Sequence, residues 1–365
     1  MELNGVSVIV CCHNSAIRIT STLFYLKQQV VPDALVWEVI LVDNNSSDDT
    51  VAVARSLWKE ETTFAPLRIV SEPQLGLSYA RKKGIDSSLY DCLVFCDDDN
   101  WLSAEYVSTA YNALMAMPDV GIIGGRGLPE YERTPPDWIK KYAGYYATGP
   151  QQSASGDITA KGFVYGAGMV ARKSVFSRLE HQGITSLLSD RQGNNLLSGG
   201  DVEFCFQAKM AGYRIWYLEN LTFTHFIPAS RLDWGYMMAL VKGFAASDII
   251  LNLYEHYFFD RFGVLGFGGY QIQINANKTI SYFALCKEVM REVYAKSLPL
   301  KRTFFRSMVL KKHSEGYVHE LKLYYHIGYL QGLFGLRPDF EHINQKIITY
   351  KNVLTDGVKQ RDKVL

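Results

Sequence analysis

The sequence predicts an α/β fold, in which a mainly parallel sheet is flanked by helices, followed by a helical C-terminal region. Over the first 124 residues, short apolar runs alternate with segments of helical apolar spacing. Alternation at these lengths is typical of right-handed βαβ units. After about residue 235 the strand pattern ends and the chain becomes aromatic and helix-like. We therefore place a domain boundary near 235–240.

Each predicted element follows from its own run of residues, either continuously apolar or apolar at helical spacing. The predicted strands are 6–12, 37–42, 67–70, 92–96, 120–124, 213–217 and 221–226. The predicted helices are 15–29, 51–58, 77–88, 104–117 and 201–212. Residues 125–165 are rich in Gly, Pro, Tyr and Trp, which predicts an irregular loop layer over a cleft, and order resumes at 164–172.

Bulk composition indicates a globular protein, and its near-zero net charge does not indicate binding to nucleic acid. The chain of 365 residues is 48% hydrophobic and 21% charged, with a formal net charge of +1. Its six cysteines form no CxxC pair, and several lie in strand-like runs, as expected in a reducing compartment. We see no signal peptide and no uninterrupted apolar run of transmembrane length, so we expect a cytoplasmic protein.

Three consecutive carboxylates follow the predicted strand 92–96. Asp97, Asp98 and Asp99 should lie at the carboxyl edge of the sheet, where ligands bind in open α/β folds. Carboxylates packed this closely repel one another, and a divalent cation that bridges to phosphate oxygens relieves the repulsion. A solvated acidic turn with an Asx cap is the alternative, so this cluster alone leaves both interpretations open.

Two neighbouring strands end in further polar residues. His13 and Asn14 follow the first strand, and Asp43 and Asn45 follow the second. No GxGxxG and no Walker A lysine follow the first strand, which disfavours a dinucleotide dehydrogenase or a P-loop enzyme. Asp43 could accept a hydrogen bond from a base, and the His13 ring could stack on it. Both residues could equally serve only as turn residues or caps.

Three later residues could act at the same edge. Arg81, early in the predicted helix 77–88, could neutralise a diphosphate, or form a surface ion pair. Asp201, which precedes a helical segment, could be a general base or only a helix N-cap. His225, directly after a β-branched run, could be a metal ligand, hold a phosphate or be structural.

In their order along the chain, these segments resemble the family 2 glycosyltransferases, which have the GT-A fold. The matching segments are 8–14, 40–50, 76–84, 95–99, 166–172 and 200–213. They lie within residues 6–226, roughly 60% of the chain. The resemblance implies inverting transfer of a sugar from a nucleoside diphosphate donor to an acceptor hydroxyl.

The resemblance also implies roles for individual residues. Asp43 would read the base, with His13 in the usual base-stacking position, and Arg81 would approach the diphosphate. Asp97 and Asp99 would serve the ribose, the diphosphate and a Mn²⁺ or Mg²⁺ ion, and Asp201 would be the catalytic base. In the same resemblance, His225 matches a histidine near the metal or diphosphate. We also place Asn14, Asn45 and Asp98 at the donor site.

Asp43 favours UDP as the nucleotide, because it can pair with a uracil N–H, although thymine offers the same N–H and GDP stays open. By this resemblance, residues 1–235 form the catalytic domain, with a nucleotide-binding half (1–124) and an acceptor half (125–235), and 236–365 form the helical region. The expected acceptor is a glycan or lipid-linked saccharide, as in bacterial surface polysaccharide synthesis. A sugar nucleotidyltransferase and a non-catalytic glycan- or partner-binding module are the alternatives.

The segment 297–312 mixes basic and large apolar residues. As a helix it could make peripheral contact with an anionic membrane, at the inner face of the plasma membrane. It could instead pack its aromatic residues on the catalytic domain and expose its lysines to solvent. The sequence leaves both interpretations open.

Overall fold

The fold was taken from a computed structural model, which describes residues 3–58, 65–188, 190–191, 196–259, 280–295 and 318–361. The strands are β1 (Leu3–Cys12), β2 (Trp37–Asp43), β3 (Leu67–Ser71), β4 (Tyr90–Asp97), β5 (Asn100–Leu102), β6 (Val120–Tyr131), β7 (Gly156–Asp157), β8 (Val170–Arg172) and β9 (Arg214–Ile227). The helices are α1 (Ile19–Lys27), α2 (Thr50–Leu57), α3 (Leu77–Ser87), α4 (Tyr106–Ala116), α5 (Lys173–His181), α6 (Gly200–Met210), α7 (Trp234–Phe259), α8 (Tyr282–Ala295), α9 (Val318–Gly335) and α10 (Phe340–Arg361). Short 3₁₀ segments span Asp137–Tyr146 and Ala229–Arg231.

All the described strands belong to one mixed sheet with the order β3-β2-β1-β4-β8-β6-β9-β5, and β7 pairs with β9. The first four strands of that order are parallel, and β6 is also parallel to β9. The strands β8, β5 and β7 pair with their neighbours in antiparallel fashion. The predicted α/β class, with a mainly parallel sheet and a helical C-terminal region, is confirmed.

Side-chain alternation along β1 shows why the sheet is covered on both faces. Val8 and Val10 are buried in one apolar cluster, whereas Ile9 belongs to the cluster on the other face. A strand buried on both sides reads as a continuous apolar run, as this one does. On the Ile9 face, α3 approaches closely because Gly84 has no side chain: a Cβ there would lie 2.3 Å from Ile9 Cγ2.

The prediction of a loop layer over 125–165 is wrong at its start. Strand β6 continues to Tyr131 and stays paired with β9. Strand β9 is itself one continuous strand, where two strands, 213–217 and 221–226, were predicted. The glycines that suggested a loop allow close backbone contacts: a Cβ on Gly125 would lie 2.2 Å from Leu221 O, and one on Gly127 2.1 Å from Ala147 O. The short strand β5 was not predicted.

The C-terminal helices pack on the same core as the sheet. Gly328 and Gly332, one turn apart on α9, let it contact the α7 backbone, because Cβ atoms there would lie 2.5 Å from Lys242 O and 2.8 Å from Ala246 Cα. Helix α7 is long and apolar enough, over Trp234–Phe258, to cross a bilayer by length and composition alone. However, 67% of its apolar window is buried, as in the core helix of a globular protein.

The predicted boundary at 235–240 falls within the first turns of α7, which begins at Trp234. The division into the ranges 1–235 and 236–365 stays a prediction. The segment 297–312, for which membrane contact was one interpretation, lies outside the described residues.

Candidate functional site

The carboxyl ends of β1, β2 and β4 meet at one edge of the sheet. Cys12 pairs with Asp43, and Cys11 pairs with Asp97, so the polar residues that follow each strand come together. They border a cleft of about 570 Å³, a size typical of small-molecule sites. The predicted site residues that line it are His13, Arg81, Asp97, Asp98, Asp99, Asp201 and His225. Strands, helix starts and loops that are far apart in sequence therefore converge on one cavity.

Asp98 is already bound to its own protein. Its Oδ2 accepts hydrogen bonds from Arg18 Nη2 at 2.7 Å and Nε at 3.1 Å, and also from the Ser15 hydroxyl. The Asp98 carbonyl accepts a further bond from Thr22 Oγ1 at 2.8 Å. Burial raises the pKa of Asp98, and Arg18 opposes that rise. These contacts fix the turn after β4 against α1, although Asp98 also lines the cleft.

Asp99 is buried in a cationic environment. Its Oδ2 pairs with Arg231 Nη1 at 3.1 Å, and its Oδ1 accepts from Asn100 Nδ2 at 3.1 Å and lies 3.5 Å from His225 Nε2. Burial alone would raise the pKa of Asp99, but His225 and Arg231 outweigh it and hold that pKa well below its usual range. Asp99 is therefore an anion in the folded protein.

The orientation of His225 makes it a candidate metal ligand. Asn100 of β5 directly follows the acidic turn, and strand β9 places His225 opposite it. Its Nδ1–H donates to Tyr146 O at 2.7 Å, so in the neutral ring the lone pair is on Nε2 and faces Asp99 Oδ1. Two acceptors that face each other are stabilised by a proton or a cation between them. A metal-binding histidine usually donates its other ring N–H to a backbone carbonyl or a carboxylate, as His225 does here.

The residues present thus fit a divalent cation through two protein ligands. Within the described ranges, no group of three or more His, Cys, Asp or Glu side chains has a metal-binding arrangement. Asp97 also lines the cleft, and no described residue donates a hydrogen bond to its carboxylate. Mg²⁺-type sites commonly use one or two carboxylates and take their remaining ligands from substrate phosphates and water. The pair Asp99 and His225, with Asp97 beside it, matches that pattern.

Arg81 does not face the cleft as a free cation. Its Nη1 pairs with Asp190 Oδ2 at 3.1 Å, and both side chains are buried, at 8% and 6% exposure. Burial alone would lower the pKa of Arg81, but the negative charges of Asp190, Asp97 and Asp201 outweigh burial. The pKa of Arg81 is therefore raised, and the guanidinium stays charged. Arg81 therefore balances three carboxylates, and Asp190, which sequence reasoning missed, is its direct partner.

Asp201 lies in the first turn of α6. Its Oδ2 accepts the Gly166 N–H at 2.8 Å, and its Oδ1 accepts the Val202 N–H at 2.9 Å. Gly166 comes from the segment before β8, so the 166–172 segment and the start of α6 meet at this carboxylate. The side chain is half-buried and lines the cleft. Its position and its orientation by two N–H groups suit a general base.

The two loops after β1 and β2 hold each other. His13 Nδ1 contacts Asn44 O at 2.8 Å, and Asn14 Oδ1 accepts the Ser47 N–H at 2.8 Å. Asp43 Oδ1 caps its own turn by accepting the Ser46 N–H at 3.2 Å. Within the described part of the chain, Asn14, Asp43 and Asn45 lie at this edge but are not among the residues that line the cleft. Asn44 does line it, although it was not singled out from the sequence.

Asn44 and Arg231 were the residues hardest to find from sequence. Asn44 Nδ2 donates to Glu72 O and Gln74 O, and its Oδ1 accepts the Gly76 N–H, so one amide holds the loop before α3. Arg231 follows β9 after a proline, in a 3₁₀ turn that carries no motif. The available signal was position: Asn44 directly follows the predicted second strand, and Arg231 comes soon after His225.

Comparison with solved structures agrees with the fold described above. A solved mannosyltransferase, PcManGT from Pyrobaculum calidifontis, in complex with GDP-Man and Mn²⁺, has a TM-score of 0.53 and 17% identity over 91% of this chain and 89% of that chain. This likeness concerns the fold alone. The fold is GT-A, the class that the sequence resemblance predicted.

Residues 7–179 match the family described as glycosyl transferase family 2. The glycosyltransferase AglE of Haloferax volcanii is 29% identical over 224 residues, which cover 60% of this chain and 64% of AglE. EpsH of Bacillus subtilis is 27% identical over 106 residues, or 29% of each chain. The chain thus spans less than two thirds of either relative. The match over residues 7–179 agrees with the predicted resemblance to the family 2 glycosyltransferases.

Proposed function

We propose that this protein transfers a sugar from a nucleoside diphosphate sugar, with UDP as the nucleotide, to a hydroxyl of a glycan or lipid-linked saccharide. The observation that carries the proposal is the convergence of Asp99, His225 and Asp201 on one cleft. The first two can serve a diphosphate, and the third can accept a proton. The choice of UDP rests on Asp43 at the end of β2.

The proposed reaction is a single in-line displacement. The acceptor oxygen forms a bond to the anomeric carbon, and the bond from that carbon to the diphosphate oxygen breaks. Asp201 accepts the proton of the acceptor hydroxyl, and the electron pair leaves with the diphosphate. Attack from the face opposite the leaving group inverts the anomeric configuration.

The charges around the cleft support a departing diphosphate. Arg231 and Arg18 contact the acidic turn from either side, at Asp99 and Asp98. A Mn²⁺ or Mg²⁺ ion, which Asp99 and His225 would hold, supplies positive charge to the leaving group when it is bound. In this proposal Arg81 acts from behind, as the buried cation that keeps Asp97 and Asp201 in place.

All six cysteines are free thiols, which fits a reducing compartment. We therefore propose that the reaction takes place in the cytoplasm, where a lipid-linked acceptor would be reached from the inner membrane face. Synthesis of a bacterial surface polysaccharide is the corresponding pathway class.

Donor binding can be tested directly by calorimetry. The wild-type chain is titrated with UDP-sugars and GDP-sugars, with and without Mn²⁺, beside Asp99→Asn and the exposed control Asp33→Asn. We expect one nucleotide sugar to bind, more tightly with Mn²⁺, and Asp99→Asn to lose roughly tenfold or more of that affinity. If no nucleotide sugar binds the wild-type chain, the proposed function is wrong.

A further inference from the structure

The cleft continues past Asp201 into the C-terminal helices. Besides Tyr236, the residues of α7 that line it are Val241, Phe244, Asp248 and Leu251. Their spacing of three, four and three residues places them on one face of the helix. Tyr325 of α9 and Tyr145 of the 137–146 segment complete this end. The matched family segment ends at residue 179, so α7 and α9 lie outside it.

This end of the cleft adjoins the proposed base. Gly199 directly precedes α6, which carries Asp201 in its first turn. A Cβ built on Gly199 would lie 3.3 Å from both Ser247 Cβ and Leu251 Cδ1. Helix α7 therefore contacts the start of α6, and a molecule held against α7 can present a hydroxyl to Asp201.

Asp248 is a buried carboxyl with one oxygen in use. Its Oδ2 accepts the Tyr325 hydroxyl at 2.5 Å, and no described residue donates to its Oδ1. Burial raises the pKa of Asp248 to about 7. Because Asp248 lines the cleft, its Oδ1 can accept a hydrogen bond from water or from a hydroxyl or amide of a bound ligand.

Aromatic rings lie beside this carboxyl. The Tyr145 and Phe244 rings meet edge to face, with centroids 5.6 Å apart at 67°. Rings of this kind offer an apolar surface, and a tyrosine adds a polar end. An apolar wall with one convergent carboxyl suits a neutral sugar ring, which has C–H faces and equatorial hydroxyls, and disfavours an anionic ligand.

We propose that the pocket formed by α7 and α9 is the acceptor subsite and takes a neutral pyranose, with one sugar hydroxyl bonded to Asp248 Oδ1. This subsite proposal rests on the proposed glycosyl transfer, but it concerns residues that the donor site does not use. Asp248 sets acceptor specificity, and Tyr325 is a positioning residue that holds its other oxygen.

Saturation-transfer NMR with the full chain tests the proposal in the presence of saturating UDP and Mn²⁺. The probes are methyl glycosides of glucose, galactose, mannose and N-acetylglucosamine, with methyl glucuronide as the anionic comparison. We expect at least one neutral glycoside to bind. Asp248→Asn should weaken that binding roughly 2- to 10-fold, because the amide oxygen is still an acceptor but carries no charge. Tyr325→Phe should weaken it less, and Asp33→Asn should not change it.

Three results would overturn the subsite: no neutral glycoside binds, only the glucuronide binds, or binding survives both Asp248→Asn and Tyr325→Phe. The affinity for UDP, measured on the same variants, must stay at the wild-type value, which also shows that the variants are folded. Failure of the proposed function is distinct, because there the wild-type chain would bind no nucleotide sugar.

Discussion

Replacing Asp201 by asparagine removes the proposed proton acceptor and leaves its volume unchanged. The asparagine oxygen can still accept the Gly166 N–H, which now bonds to Asp201 Oδ2 at 2.8 Å. Only the Val202 N–H loses its acceptor, at a cost of about 1 kcal/mol in stability. The fold and the donor site should therefore survive the change. The chemical step should slow by about 10²- to 10⁴-fold, the usual contribution of a positioned general base.

That loss corresponds to about 3–5 kcal/mol in activation free energy. The assay follows release of nucleoside diphosphate in the presence of a saccharide acceptor, and it separates kcat from the donor KM. We expect kcat to fall and the donor KM to stay unchanged, since Asp201 does not contact the acidic turn that serves the diphosphate. Asp33→Asn, the same chemical change at an exposed site, should behave as wild type. Wild-type kcat in Asp201→Asn would refute the assignment of the base.

Further predictions concern the metal, pH and packing. In His225→Gln, the Mn²⁺ concentration for half-maximal donor binding should rise about tenfold or more, and an unchanged value would exclude the ligand role. Burial raises the pKa of Glu203 to about 7 from 4.5, so the folded state binds the extra proton between these values and wild-type stability falls as pH rises through that window. The free energy of unfolding of Glu203→Gln, measured with denaturant, should therefore rise relative to that of wild type by up to about 3 kcal/mol between about pH 5 and pH 8. A difference between the two proteins that stays constant over this pH range would contradict the assignment. Gly84→Ala should lose about 1–3 kcal/mol of unfolding free energy through contact with Ile9, whereas Gly335→Ala, which meets open space, should not.

The sequence predicted the elements whose pattern is strong and local. Strands β1, β2 and β4 are apolar runs buried on both faces, and their polar ends locate the cleft because parallel strands end at one edge. The start of β6 was predicted, but its continuation was not. Its glycines, such as Gly125 and Gly127, resemble turn signals and instead permit contact between backbones.

The partners of the site residues could not be predicted, because they come from distant segments. Arg18 binds Asp98 across 80 residues of sequence, and Arg81 binds Asp190 across 109. Arg231 binds Asp99 across 132 residues. A sequence pattern indicates that a charged residue lies at the sheet edge, but tertiary packing decides which opposite charge meets it. Three adjacent aspartates consequently have three different environments.

The central claim is that this cleft transfers sugar from a nucleoside diphosphate donor. The most direct measurement is release of nucleoside diphosphate by the wild-type chain and by Asp201→Asn, over a panel of UDP-sugars and GDP-sugars with Mn²⁺ and neutral saccharide acceptors. Acceptor-dependent release by the wild type from one donor, lost in Asp201→Asn, is the predicted result. The claim would be contradicted if the wild type released no nucleoside diphosphate from any donor, or if Asp201→Asn released it at the wild-type rate.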